Sequence, residues 1–398
     1  MGDSAHTARW LAALGRDRWD VHLFPVDELA PLHSDLRDVT VHRLFRSDPP
    51  RHASVLETGL RWPLRRGAAR ATAELERRWS TAGSAARLAR TISRLKPDLL
   101  HTLEMQHAGY LALDSRKLVR GPFPPWIYSS WGSDLFYYGR LAGHEPRVRA
   151  VLAACDFYIA DCERDIGLAH ELGFEREVLG VTVASAGFDL ESMRRLRQSG
   201  PVSARTAIAV KGLHTDAWVA RGLVALQALH LCADELAGFE IDVYSASPNV
   251  RHAAEYVARL TGLDVRVMPP SVEVPYTRVI SLMGRARVAI AVNISDGTPT
   301  TLLEAMIMGA FPVQSDTVST REWIVDGRNG LLVDAEDPSS VAEALRRALS
   351  DEALVESAAE LNARLASEQL DRSVVVPKVL EMYERALDAR AAGRVAAG

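Results

Sequence analysis

Residues 287–334 read RVAIAVNISDGTPTTLLEAMIMGAFPVQSDTVSTREWIVDGRNGLLVD, and this stretch sets the frame for the rest of the chain. Residues 288–294 form a nearly continuous apolar run, the pattern of a strand buried on both faces of a parallel sheet. Residues 295–301 carry turn chemistry in Gly297 and Pro299. Residues 302–308 read as a helix, and Gly309 is placed to end it in a left-handed cap. Strands resume at 311–314 and 330–333. Two carboxylates, Asp296 and Glu304, stand eight positions apart, one in the loop after the buried strand and one in the first turn of the helix. Open α/β sheets bind ligands at that edge, and helix N-termini there attract phosphate. A ligand bearing both sugar hydroxyls and phosphates fits such a loop.

Outward from this segment, 398 residues fit two domains better than one. With 47% hydrophobic and 25% charged residues, the composition is that of a globular protein. A net charge of −4 gives no footprint for nucleic acid. Three cysteines, Cys155, Cys162 and Cys232, show no metal spacing, and their odd number argues against a disulfide framework; a reducing cytoplasm fits. No run reaches the roughly 20 apolar residues of a membrane span, and the N-terminus MGDSAHTARW is too polar for a signal peptide.

Taken in order, the chain opens with a loop and a helix at 7–14, then strands at 20–25 and 39–45. A doubly wound half opens with a strand before its first glycine loop, so the reading lacks a first strand and expects one upstream of Met1. Residues 47–96 are rich in arginine and helical in composition, with Trp62 and Trp79 among them; solvated helix faces account for them better than an anionic membrane or a phosphorylated acceptor. Strands at 97–101, 126–130, 157–160 and 181–184 alternate with helices and complete one doubly wound sheet. A polar linker at 192–203 follows, and the alternation restarts with strands at 207–210, 239–244 and 265–268. The expected domains are 1–195, 204–372 and a C-terminal helix at 373–398 packing back on the first domain.

Each candidate residue has a plainer account. Thr301 to Glu304 also reads as a capping box, in which the glutamate bonds the N-cap amide. Asp296 can serve backbone amides of its own loop. Lys211 and Arg221 flank Gly212 and Gly222 after a strand, where a cation partners phosphate or simply faces solvent. Ser247 and Ser271 sit at neighbouring strand ends, as base-pocket residues or ordinary turn serines. Trp131-Gly132-Ser133-Asp134 ends a strand, and Asp134 either holds an acceptor hydroxyl or caps the next helix. His101 and His107 read as core or cleft-lining side chains.

The run SDGTPTTLLEAMIMGAFPV, followed by EWIVDGRNGLLVDAEDP and VAEALRRAL, resembles the donor-site signature of retaining GT-B glycosyltransferases of family 4. The likeness implies an α/β fold of two Rossmann-like domains facing each other across a cleft. It assigns Asp296 to the sugar hydroxyls, Glu304 to the ribose, and the backbone of Gly297, Thr298, Pro299, Thr300 and Thr301 to the diphosphate. Lys211 and Arg221 lie where the family places cations against that diphosphate, with Gly212 beside them. Gly2, Asp3, His6 and the residues after them look like the family's first glycine loop and helix, which puts them with His107 and Trp131 on the acceptor side. Ala186-Gly187-Phe188-Asp189 is similar to the Asn-Gly-Val-Asp that closes its first domain. The family usually has Glu where this chain has Asp296, and the spacing of its basic residues differs from that of Lys211 and Arg221. The resemblance implies a retaining, metal-independent transfer from a nucleotide-sugar, UDP before GDP, to a hydroxyl of a glycan, glycolipid or secondary-metabolite acceptor. The rival readings are a nucleotide-sugar epimerase of similar fold and a non-catalytic nucleotide-sugar-binding relative.

Overall fold

The structure is a computed structural model that describes residues 2, 4–15, 17–28, 30–46, 53–61, 83–214, 219–268 and 274–393, with single positions at 67, 71 and 74. Asp3, Ser271, Trp62 and Trp79 lie outside the described residues. The chain divides into two compact units, 1–187 with 375–398, and 188–374.

The second unit is built on a six-stranded parallel sheet. Its strands are β8 (Ala207–Lys211), β9 (Glu240–Tyr244), β10 (Asp264–Val267), β11 (Ala286–Ala291), β12 (Phe311–Ser315) and β13 (Leu331–Val333). They lie in the order β10-β9-β8-β11-β12-β13, the doubly wound arrangement whose direction switches between β8 and β11. Ile208, Val210, Val288, Ile290 and Val313 are buried on one face of the sheet, and Ala209, Ala289 and Ala291 between them are buried on the other, which is why these strands read as unbroken apolar runs. Gly309 ends the helix Thr300–Met308 in the left-handed conformation at φ 79°. A side chain there would press on the Arg197 guanidinium.

In the first unit the expected single sheet is two. One holds β1 (His22–Leu23), β2 (Val39–Arg46) and β3 (Val55–Arg61). The other holds β4 (Leu100–Leu103), β5 (Trp126–Ser129), β6 (Phe157–Ala160) and β7 (Glu177–Val181), and both are parallel. Their cores are correspondingly separate, Val39, Val41 and Leu36 under the first and Trp126, Tyr128 and Phe174 under the second. β1 is only two residues long, shorter than the strand expected at 20–25, and β3 falls inside the arginine-rich stretch expected to be helical. The expected strand at 181–184 lies earlier, in β7.

The units part at 187/188 and 374/375, whereas the sequence reading drew its edges at 195 and 372. Residues of the expected linker form the short helix Leu190–Arg194, which packs on the helix Thr300–Met308 and so joins the second unit. Phe188 bridges Asp371, holding the outgoing and returning chain side by side. From Val375 onward the last helix, Arg372–Ala391, lies on the first unit. There Tyr383 Oη accepts from Trp10 Nε1 at 2.8 Å and lies 2.6 Å from His101 Nδ1, while His101 Nε2 reaches Ser129 Oγ at 2.7 Å. Burial pushes His101 down to about 3, so it is neutral at physiological pH. One hydroxyl thus ties three elements, and removing it strands the buried Trp10 N–H and His101 Nδ1. Tyr383→Phe is expected to cost roughly 1–3 kcal/mol and to lower the melting temperature of the whole chain; an unchanged thermal transition would refute this account of the helix. Among the described residues no helix is long and apolar enough to cross a membrane.

Candidate active site

The second unit gathers its candidate residues around the switch between β8 and β11. Past the end of β11, Ile294 N donates to Val219 O at 2.8 Å, and Arg221 N donates to Val292 O at 2.9 Å. These two bonds lay residues 219–221 against 292–294 and bring Arg221 beside the loop of Asp296. Asp296 Oδ1 accepts from Gly297 N at 3.0 Å and Oδ2 from Asn293 Nδ2 at 3.4 Å. Ser319 Oγ reaches the carbonyls of Asp296 and Gly297 at 3.0 and 2.7 Å and fixes the loop from behind. Ser319 follows Val318, a β-branched residue at φ 67°, a backbone conformation that costs energy and clusters at functional loops. Neither residue was marked by the sequence reading.

The helix after this loop begins at Thr300 with Pro299 at its N-cap, and no side chain caps it. Proline has no backbone N–H, so the capping box expected at Thr301 to Glu304 cannot form there. Thr301 is already inside the helix, and Glu304 lies on the second turn's inner face, 5% exposed; burial first, and then the Glu304 charge, raise the phenol of Tyr244. The capping role read for Glu304 is therefore removed. Gly297, Thr298 and Pro299 are buried beside it, and Thr300 is half-buried.

Lys211 ends β8, paired in register with Tyr244. Gly212 follows with its N–H on Tyr244 O at 2.7 Å. A Cβ on Gly212 would stand 2.7 Å from Val243 Cγ1 and 3.0 Å from Ala246 Cα, so only glycine lets this loop lie down on the β9 loop. Arg221 is not a bare cation: Nε donates to Glu336 Oε1 at 2.7 Å and Nη1 to Ala220 O at 3.2 Å. Ser247 Oγ accepts from His214 N at 3.2 Å and donates to Asn249 Oδ1 at 2.6 Å, the behaviour of a turn serine.

In the first unit a second group forms after β4 and β5. His6 meets Trp131 edge to face, ring centroids 5.6 Å apart. Gly2 is pinned through its carbonyl by His33 N at 2.8 Å. Asp134 is 2% exposed, and its Oδ2 accepts from Met105 N, Trp131 N and Tyr128 Oη at 2.9, 2.9 and 3.1 Å. No helix starts at this point, so the capping expectation fails; the carboxylate instead clamps two loops together. Burial first, and then the Glu104 charge, push Asp134 well above the usual carboxylate range.

Glu104 itself was missed. It sits at φ 86°, heading a π-helical turn, Met105–Gly109, a rare form that favours functional sites. Its buried carboxylate accepts from His107 N at 2.7 Å and meets His107 Nδ1 at 3.0 Å, while the imidazole is exposed. The hydrogen bond to Glu104 raises the His107 pKa above 6.5 against a smaller opposing effect of burial. A raised histidine contributes stability that is complete below its unfolded pKa and is lost as pH rises through the folded one. Glu104→Gln should therefore lower the His107 pKa in an NMR titration, and an unmoved titration would break the pairing. Among the described residues no three His, Cys, Asp or Glu side chains come together to hold a metal ion.

Two α/β units built on parallel sheets, with candidate residues at strand carboxyl ends in each, mark the GT-B class of glycosyltransferases. The structure of sucrose-phosphate synthase from Thermosynechococcus elongatus superposes with a TM-score of 0.67 at 14% identity, covering 94% of this chain and all of that one. That of Anabaena HepE, solved with UDP-glucose, gives 0.67 at 14% identity over 97% of each chain. A UDP-forming trehalose-phosphate synthase from Burkholderia xenovorans gives 0.57 at 16%, covering 81% of this chain and 80% of that one. No curated protein matches by sequence. The family model "Glycosyl transferases group 1" matches residues 209–351, and "Glycosyl transferase 4-like" matches residues 73–161. The chain is a glycosyltransferase of group 1 with the GT-B fold.

Proposed function

We propose that the enzyme moves a sugar, with retention of anomeric configuration, from a nucleotide-diphosphate sugar to a hydroxyl acceptor of a glycan, glycolipid or secondary metabolite. UDP is the favoured nucleotide, as in the HepE complex. The observation that carries the reading is the loop of residues 294–304. It presents a helix N-terminus with proline at its N-cap and two carboxylates, Glu304 on the helix's inner face and Asp296 in the loop before it. In this reading Glu304 holds the ribose, Asp296 the sugar hydroxyls, and the amides from Gly297 to Thr301 the diphosphate. Lys211 and Arg221 complete the diphosphate contacts, Arg221 exchanging its exposed partner Glu336 for phosphate. The charge leaving with the nucleotide is met by these two cations and the helix N-terminus, so no metal is required. The departing phosphate takes the acceptor proton, and the enzyme contributes position and field. Asp134 and Glu104 act by holding the acceptor-side loops and His107. The three cysteines are buried, and we place the enzyme in the cytoplasm.

A thermal-shift panel of UDP, GDP and ADP with their sugars tests this directly. A uridine diphosphate is expected to raise the melting temperature most, and its sugar to be hydrolysed or transferred at an undiminished rate in excess EDTA. No shift from any member of the panel would overturn the donor site, and loss of turnover in EDTA would overturn the metal-free account.

A further inference from the structure

Part of the arginine-rich stretch of the first unit lines a cleft. In the helix Ser84–Leu95 the residues Arg87, Arg90, Thr91 and Arg94 recur at helical spacing, while Leu88, Ala89 and Ile92 turn into the core. That stripe is exposed at Arg90 and Arg94 and half-buried at Arg87 and Thr91. It forms one wall of a cleft of about 530 Å³ whose other wall is the carboxyl-terminal half of β2 and β3.

Arg43 lies on that other wall. It is 5% exposed, Nη2 donates to Ala30 O at 2.7 Å, and neither Nε nor Nη1 has a hydrogen-bond partner. A buried guanidinium edge without an acceptor costs free energy unless an anion meets it. Its placement is built into the strand pair. The register slips between His42 opposite Thr58 and Phe45 opposite Leu60, so Arg43 and Leu44 bulge against the single residue Gly59. Bulges of this kind re-aim side chains. Gly59 is held at φ 135°, and a Cβ there would stand 2.4 Å from Arg43 O, so the bulge depends on glycine.

Among the described residues that line the cleft, cations are in excess. Arg87 is partnered by Glu28 at 2.5 Å, and Glu28 also accepts from Leu44 N. His42 is taken up by His22 and Thr58 and lowered to about 4 by burial, so it adds no charge. Arg43, Arg90 and Arg94 remain. Phe24, Leu44 and the 61% exposed Leu60 give the lining an apolar side, beside Thr58 and Thr91.

We propose that this cleft is an oxyanion site that takes a phosphate group, Arg90 and Arg94 gripping the oxygens beside the buried charge of Arg43 and the apolar wall meeting whatever carries them. The site does not depend on the donor reading. The phosphate can belong to a soluble ester or to a lipid headgroup, and the test separates the two. The full chain is titrated calorimetrically with hexyl phosphate, with inorganic phosphate, and with phosphatidylcholine vesicles with and without phosphatidic acid. Saturable binding of hexyl phosphate, weakened at least tenfold in Arg90→Gln/Arg94→Gln and in Arg43→Met, is the expected result. Arg90 and Arg94 are exposed, so the double variant tests the site even if the Arg43 variant does not fold. Binding confined to vesicles containing phosphatidic acid, lost in the same variants, assigns the site to a lipid headgroup. Absence of saturable binding to every phosphate probe, or equal affinity in wild type and the double variant, overturns the proposal.

Discussion

Glu304→Gln is expected to weaken the binding of UDP itself, without any sugar, by roughly 10- to 100-fold, the worth of a charge-assisted hydrogen bond to a buried carboxylate. Glutamine keeps the shape and packing of the helix's inner face, so the far-ultraviolet circular dichroism and melting temperature of the free enzyme should stay close to wild type. The reasoning depends on Pro299. Had Thr301 been the N-cap, Glu304 would have bonded the cap amide, and its removal would have cost helix stability rather than ligand affinity. With proline at the N-cap there is no amide to bond, and the 5% exposed carboxylate sits one turn above an uncapped N-terminus. Calorimetric titration of the variant with UDP decides the point: unchanged affinity removes Glu304 from the nucleotide site.

The second unit was readable because its strands are buried on both faces and the residues that build them are almost uniformly apolar, from Ile208 and Val210 through Val288, Ile290 and Val313. Its loops were readable as punctuation at Gly212, Gly297 and Gly309. The first unit was harder for a physical reason. β3 carries Leu56 and Leu60 more than half exposed among arginines, so neither alternation nor a continuous run announces a strand. The Thr301 to Glu304 pattern has the spacing of a capping box, but the proline two residues before Thr301 moves the helix start and voids it. Glu104 left no trace because a positive φ at a non-glycine residue is imposed by its surroundings, here the loop clamp of Asp134 on Met105 N. Arg43 was invisible for a similar reason, since a bulge depends on two strands and the sequence shows each one alone. Periodicity thus carried the layers, and the positions where the backbone departs from it became visible only in three dimensions.

Asp296→Ala should part turnover from nucleotide binding. If Asp296 meets the sugar, the variant loses on the order of 100-fold in kcat, about 2.7 kcal/mol of transition-state stabilisation, while its affinity for UDP stays within about twofold of wild type. The opposite split belongs to Glu304, so the two variants assign the two ends of the donor. Asp296 also accepts from Gly297 N and Asn293 Nδ2, and alanine releases both. Asp296→Asn separates the loop's geometry from its charge. The asparagine carbonyl can still accept from Gly297 N, and Ser319 still holds the loop through the carbonyls of residues 296 and 297. Turnover as low in Asp296→Asn as in Asp296→Ala identifies the charge as the acting quantity. Asp296→Glu completes the series: an added methylene inside a loop pinned at both ends pushes the carboxylate past its present partners. Recovery of wild-type turnover by glutamate would show that the loop accommodates either reach. Failure to recover, with UDP affinity intact, would show that this chain is shaped around the shorter side chain and hence around a particular presentation of the sugar. Loss of UDP affinity in Asp296→Ala equal to that of Glu304→Gln would contradict the division of roles and place both carboxylates on the nucleotide.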